Sequence, residues 1–198
     1  GYSELFLPAN KLINITAERP LLFVVDTHIP HLTASPELLE RIKDVVVIDH
    51  HRRSSNFIKN ARLTYSEPAT SSTSELVTEL LIYFSDDLTL PRMEATALYA
   101  GILVDTKNFA VQTGVRTFDA AAYLRRCGAD PVSVRQMFRS DFETEQAKAQ
   151  AKAQARMLPG GLIITMCREP LPNIQVIAAQ VADSMLRIED VRVSMVVF

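Results

Sequence analysis

Continuous apolar runs, rather than alternating ones, mark the first third of this chain. Residues 21–26 read LLFVVD and residues 44–51 read DVVVIDHH, each an apolar stretch that stops at an acid. Such runs suit parallel strands buried on both faces. Periodicity alone does not separate them from a buried helix, but their length and β-branched content favour strands. Between them, SPELLERIKD (35–44) has Ser35 to cap a helix, Pro36 at its first position and acids early. The three segments predict a strand–helix–strand unit. Helical patterns follow. SSTSELVTELLIYF (71–84) opens on hydroxyl residues and carries an apolar stripe at Leu76, Leu80 and Tyr83/Phe84. PRMEATALYAGILVDTKNF (91–109) has an almost wholly apolar middle, as for a central, buried helix. TFDAAAYLRRCGAD (117–130) offers Thr117 as N-cap and Gly128 as stop.

The pattern changes after about residue 140. ETEQAKAQAKAQARM (143–157) is a low-complexity run of strong helix formers and predicts an exposed connecting helix, ended by LPGG at 158–161. GLIITMC (161–167), NIQVIAAQVADSMLRI (173–188) and VRVSMVVF (191–198) then predict a second strand–helix–strand unit. The expected organisation is an α/β domain over 1–140, a connecting helix over 141–157 and a smaller α/β piece over 158–198. No long-period repeat interrupts it.

Bulk composition narrows this little. With 198 residues, 47% of them hydrophobic, the chain can bury one domain and part of a second. A net charge of -2 does not suit general adhesion to nucleic acid through a basic surface. Cys127 and Cys167 lie far apart with no CxxC spacing, which reads as reduced thiols in a cytosolic setting. No secretory leader and no apolar run of about 18 residues is visible, so a membrane anchor would have to lie outside these residues.

The candidate chemistry sits at the ends of the apolar runs. Asp26 ends the first, Asp49 with His50 and His51 ends the second, and Asp105 interrupts GILVDTKNF. Ligands of open parallel sheets bind at the carboxyl ends of strands, so neighbouring strands would bring Asp26 to the Asp49–His51 tip. Asp105 would have to reach that rim from the helical layer. Carboxylates and imidazoles suit Mn²⁺, Zn²⁺ or Fe²⁺, and a carboxylate-rich set leans to Mn²⁺ or Mg²⁺. Each residue also has a plainer reading. Asp26 can cap a turn, and Asp105 can be a paired structural acid. Arg52 can bind phosphate or line a solvated loop. Ser72 can meet phosphate at a helix start or simply form a capping box with Glu75, and Arg116 can meet an anion or a neighbouring carboxylate. His28 can line the mouth of such a site, and His31 reads as an exposed loop residue.

VIDHH resembles the signature of the DHH phosphoesterases. VVDTH resembles that family's second motif, GILVDTKNF its fourth, and EPATSSTSELVTELL and RTFDAAAYLRRCGAD the helices around them. Residues 141–198 resemble the start of the associated small domain, DHHA1. The ordered series is most like the GdpP-type branch, the cyclic-di-AMP phosphodiesterases. The resemblance implies a parallel-sheet DHH domain followed by a smaller α/β DHHA1 domain, both truncated. It implies two Mn²⁺ ions, with Asp26 bridging them and His50 and Asp105 as ligands. It also implies Asp49 in support, and His51 facing the scissile phosphate with Arg52, Ser72 and Arg116 among the substrate contacts. The implied reaction is hydrolysis of cyclic-di-AMP to pApA by a metal-activated water, in a cytoplasmic module whose parent protein is anchored to the bacterial membrane through other domains. No long nucleic acid is expected as partner.

Two departures qualify this. The family's first motif, an H-x-D-x-D type string, is absent from residues 1–20, which contain neither His nor Asp. The Gly-rich substrate motif expected after the second strand of the small domain is absent too. Truncation accounts for both, and this polypeptide alone is then expected to be poorly active. An oligonucleotide or single-strand exonuclease, a polyphosphatase and a metal-free nucleotide sensor remain alternatives. Oligomeric state, a homodimer included, stays open.

Overall fold

The computed structural model describes residues 7, 9–12, 18–85, 87–167 and 173–198. The described chain forms two compact units, residues 1–137 and 138–198.

After a helical turn, α1 (Ala9–Leu12), the first unit builds a parallel sheet in the order β1–β2–β3. Strand β1 (Leu21–Val25) pairs with β2 (Asp44–Asp49), and β2 with β3 (Leu63–Ser66). The β1–β2 crossover carries a 3₁₀ turn at Pro30–Leu32 and helix α2 (Pro36–Arg41). There the Ser35 hydroxyl accepts the Leu38 N–H, as the sequence predicts. β2 is the central strand and is buried on both faces. Val45 and Val47 join Val24 and Ile58 beside Leu39 of α2, while Val46 and Ile48 meet Leu76 on the other side.

β1 departs from the expected double burial. Leu21, Phe23 and Val25 are about half exposed. They share a face with Val46 and Ile48, but the helix over that face, α3 (Thr73–Phe84), packs on β2. β3 was not foreseen: it is four residues long and largely exposed, so it carries almost no hydrophobic signal.

The helical layer comprises α3, α4 (Arg92–Asp105), α5 (Val115–Arg126) and α6 (Pro131–Met137). Ala95, Ile102, Ala120, Leu124 and Ala129 form its core. Small residues at this contact let the helices approach closely; a Cβ on Gly101 would run into the Ser74 side chain. Helix α5 starts at Val115, not after Thr117. Thr117 occupies the third helical position, and its hydroxyl accepts the N–H of the cap residue Gly114. Gly128 ends this helix as predicted, at φ +93°.

The second unit contains α7 (Phe142–Ala153), β4 (Arg156–Leu158), β5 (Leu162–Met166), α8 (Ile174–Met185) and β6 (Val193–Val197). β4 and β5 form an antiparallel hairpin; β5 and β6 are parallel. The predicted helix over 143–157 is therefore shortened, because Arg156 and Met157 pair with Ile164 and Ile163. It also packs inward: Ala147 and Ala151 are buried, and Ala151 joins Ile163, Val181 and Met185. Among the described residues, no helix is long and apolar enough to cross a membrane.

Candidate metal centre at the strand ends

Parallel pairing in register brings the ends of β1 and β2 side by side, Val25 opposite Ile48. Asp26 follows directly. Its N–H donates to the Ile48 carbonyl at 3.0 Å, and its backbone turns into the left-handed region at φ +65°. Asp is among the few residues that tolerate this conformation, and the turn ends the strand at an exposed carboxylate.

On β2, Asp49 is the last strand residue and points into the protein, fully buried. An unpaired carboxylate there would be very costly. Asp49 is paired on both oxygens. Oδ1 accepts the His51 N–H at 3.1 Å and lies 2.7 Å from His51 Nδ1; Oδ2 lies 2.5 Å from His28 Nδ1. Burial pushes the Asp49 carboxyl upward, but the hydrogen bonds from His51 and His28 outweigh it and hold the group below the usual carboxylate range.

His50 points the other way, out of the strand end. Its Nε2 lies 3.8 Å from Asp26 Oδ1 and 3.8 Å from Asp105 Oδ2. Asp105 reaches the rim as the last residue of α4. Three residues beyond it, Lys107, Asn108 and Phe109, have φ of 48°, 59° and 64°. Such a run costs roughly 1–2 kcal/mol per residue. It is held by Asn108 N–H to the Leu103 carbonyl (2.8 Å), Phe109 N–H to Thr106 Oγ1 (2.9 Å) and the stacking of Phe109 on Phe118. The loop thus stops α4 at the point that sets Asp105 against His50. Burial raises the Asp105 pKa; His50 lowers it and Asp26 raises it, with the net shift upward. Asp105 also sits at the negative end of the α4 dipole. A carboxylate so placed, facing a second carboxylate and an imidazole, is a site that a cation would relieve.

Ligand-type atoms of Asp26, His50 and His51 lie within 4.8 Å of one another. This cluster includes His51, expected to face phosphate, while Asp105 joins through His50. Beside it, a cleft of about 890 Å³ is lined by Asp26, His28, Asp49, His51 and Arg52, among others. Arg52 is exposed, and Arg53 instead covers the Phe57 ring at 3.8 Å. His31 is exposed, as expected.

Two expected substrate contacts are otherwise engaged. Ser72 is fully buried, and its hydroxyl accepts the Glu75 N–H at 3.0 Å to cap α3. The Glu75 carboxylate does not complete a capping box; it accepts the Ser71 hydroxyl. Arg116 makes a two-pronged contact with Glu79, at 2.7 and 2.6 Å, which pushes its pKa upward. His28 is the residue sequence reasoning undervalued; its spacing two positions past the strand-end acid was the available signal.

The first unit is thus an α/β unit whose parallel sheet gathers carboxylates and imidazoles at its strand ends, with a helix delivering a further acid. Residues 3–102 match the DHH family, N-terminal domain, and the chain belongs to that family. It is 46% identical over 190 residues, or 96% of its length, to the cyclic-di-AMP phosphodiesterase PdeA of Listeria monocytogenes serotype 1/2a (strain 10403S). It is 42% identical over 201 residues, or 99% of its length, to the cyclic-di-AMP phosphodiesterase GdpP of Bacillus subtilis (strain 168). The matches cover only 29% and 30% of those proteins. In fold it resembles an exopolyphosphatase-related protein from Bacteroides fragilis, with a TM-score of 0.74 and 20% identity, over 96% of this chain and 56% of that one.

Proposed function

We propose that this chain is part of a divalent-metal-dependent phosphodiesterase that opens cyclic-di-AMP to linear pApA. The observation that carries the reading is the meeting of Asp26, His50 and Asp105 at one rim, with 3.8 Å from His50 to each acid. The 42–46% identity to proteins named as cyclic-di-AMP phosphodiesterases supports the substrate.

In this reading Asp26, His50 and Asp105 hold the metal, with Mn²⁺ favoured by the carboxylate-rich donor set. Asp26 is exposed, so its carboxylate would be open to metal. Bound divalent ions supply Lewis acidity and a hydroxide nucleophile at neutral pH. The chain's own groups do the rest. His51 turns Nε2 towards the rim, because Nδ1 is engaged by Asp49, and as the imidazolium, in which both ring nitrogens donate, it would hold a phosphoryl oxygen there. Arg52, at the edge of the same cleft, adds positive charge for the second phosphate. Asp49 keeps His51 in place. Hydrolysis joins a water oxygen to phosphorus and releases the 3′ oxygen, which takes a proton. Residues 158–198 of the second unit are read as the start of a DHHA1-type substrate-binding domain. Membrane attachment and pairing with a second copy belong to the same proposal and would be made by the whole protein.

The test is hydrolysis by the longest natural protein that carries this sequence, loaded with Mn²⁺, on cyclic-di-AMP, pApA and single-stranded DNA. Conversion of cyclic-di-AMP to pApA that disappears in a His50→Ala/Asp105→Ala variant is expected. Cleavage of long single strands alone would reject the substrate, and retained turnover in the variant would reject the metal assignment.

A further inference from the structure

His28 lies outside the acid–imidazole cluster, yet it is the most constrained histidine of the site. It is 7% exposed. The Ser54 backbone N–H points at its Nε2, at 3.0 Å. A backbone amide only donates, so Nε2 must accept and the ring proton resides on Nδ1. That proton faces Asp49 Oδ2. With His28 filling Oδ2, the buried carboxylate has one remaining oxygen, and His51 occupies it through both its N–H and Nδ1. The His28 carbonyl also accepts the Ile58 N–H at 2.9 Å. One residue thereby ties down segment 51–58 at two points, and that segment carries His51 and Arg52.

We propose that His28 is a positioning residue: it locks Asp49 between two imidazoles, fixes His51 as the Nδ1–H tautomer with Nε2 free for the rim, and sets the course of the Arg52 loop. A donor and an acceptor at opposite ends of a rigid ring are what this place requires. Leucine offers neither, and glutamine offers both. The catalytic consequence rests on the phosphodiesterase reading; the tautomer does not.

Long-range ¹H–¹⁵N correlation spectra of the histidines in this chain, metal-free and at about pH 8.5, above the ordinary imidazole range, test it directly. Both His28 and His51 should show a protonated Nδ1 and an unprotonated Nε2. Either residue as the Nε2–H form, or His51 as a mixture, overturns the proposal without any variant. His28→Gln should keep the His51 signature and the slow exchange of the Ser54 amide. His28→Leu should lose both, with Ser54 exchange at least about tenfold faster. A role in packing alone predicts that leucine serves as well as glutamine, and that result would overturn the proposal. Should His28→Leu fail to fold, a His28→Gln variant in which His51 changes tautomer would do the same. In the Mn²⁺-loaded full-length protein, His28→Leu should lower kcat by roughly 10–100-fold, the range for partners that orient ligands, with KM little changed. Absence of turnover in the wild type would count against the phosphodiesterase reading alone and leave the spectra to decide the role of His28.

Discussion

The two units repeat one construction with different endings. In the first, parallel strands β1 and β2 are joined by a crossover containing α2; in the second, β5 and β6 are joined through α8. Both bury aliphatic side chains against a helix. β1 and β2 finish in Asp26 and in Asp49, His50 and His51, whereas β5 and β6 finish in Met166–Cys167 and Val197–Phe198. The strand–helix–strand frame therefore confers no chemistry. What differs is the residue type just past the last ladder hydrogen bond, together with a third element, α4, that delivers Asp105 to one rim. The Cys167 thiol at the end of β5 is half-buried, and burial raises its pKa.

The sharpest way to break this comparison is to remove the proposed ligand His50 from one rim and a strand-end residue from the other. His50→Ala should cost several kcal/mol of transition-state stabilisation, or about 1,000-fold in turnover of cyclic-di-AMP by the full-length protein. Cys167→Ser should leave turnover within about twofold, because the half-buried thiol at the end of β5 has no carboxylate or imidazole cluster beside it among the described residues. Equal effects would end the distinction. Next in size is Asp49→Ala. It leaves donors of His28 and His51 facing a buried gap, and should lower unfolding free energy in urea by about 3 kcal/mol. A loss no larger than for an exposed residue would mean that Asp49 is not the anchor of the histidine pair.

Ser72→Ala separates capping from substrate contact. Loss of the α3 cap should cost about 1 kcal/mol, read as a fall in Tm, with KM unchanged. A large rise in KM at unchanged Tm would restore Ser72 to the substrate site. The smallest effect concerns the second unit and pH. Asp141 caps α7 by accepting the Thr144 N–H and hydroxyl, which lowers its pKa. A lowered folded-state pKa means that this contribution is present above the ordinary value of 3.8 and is lost as pH falls below it. Exchange of the Thr144 amide, corrected for its intrinsic pH dependence, should accelerate across that window in the wild type and show no such step in Asp141→Asn.

Much of the frame was legible because burial writes itself into composition. β2 needs apolar residues on both faces, and VVVI says so; Ser35–Pro36 and Gly128 mark helix ends by mechanisms that act locally. The rim was legible because parallel neighbouring strands carry Asp26 and Asp49–His51 to adjacent ends, and because the order of these motifs resembles that of the DHH family. Elements stabilised mainly by their neighbours were not. β3 exists because β2 offers a free edge, and β4 because β5 does; neither Thr64 nor Arg156 announces a strand. Helix α6 was overlooked although Asp130 before Pro131 is a cap signal, with Asp130 accepting the Val132 N–H. His28 escaped because its importance lies in a contact with Asp49, 21 residues away. For Ser72 and Arg116 the residue types suit phosphate as well as they suit a helix cap and a carboxylate, and their contacts with Glu75 and Glu79 are not written in local sequence.

The central claim is that the β1–β2 rim, and not its counterpart at β5–β6, holds divalent metal. Anomalous diffraction from crystals of this chain grown with Mn²⁺ addresses it most directly. The account predicts a manganese peak at about 2.0–2.3 Å from oxygens of Asp26 and Asp105 and from His50 Nε2, lengths usual for carboxylate and imidazole ligands. A peak elsewhere, or none at millimolar Mn²⁺ with the rim ordered, would contradict it.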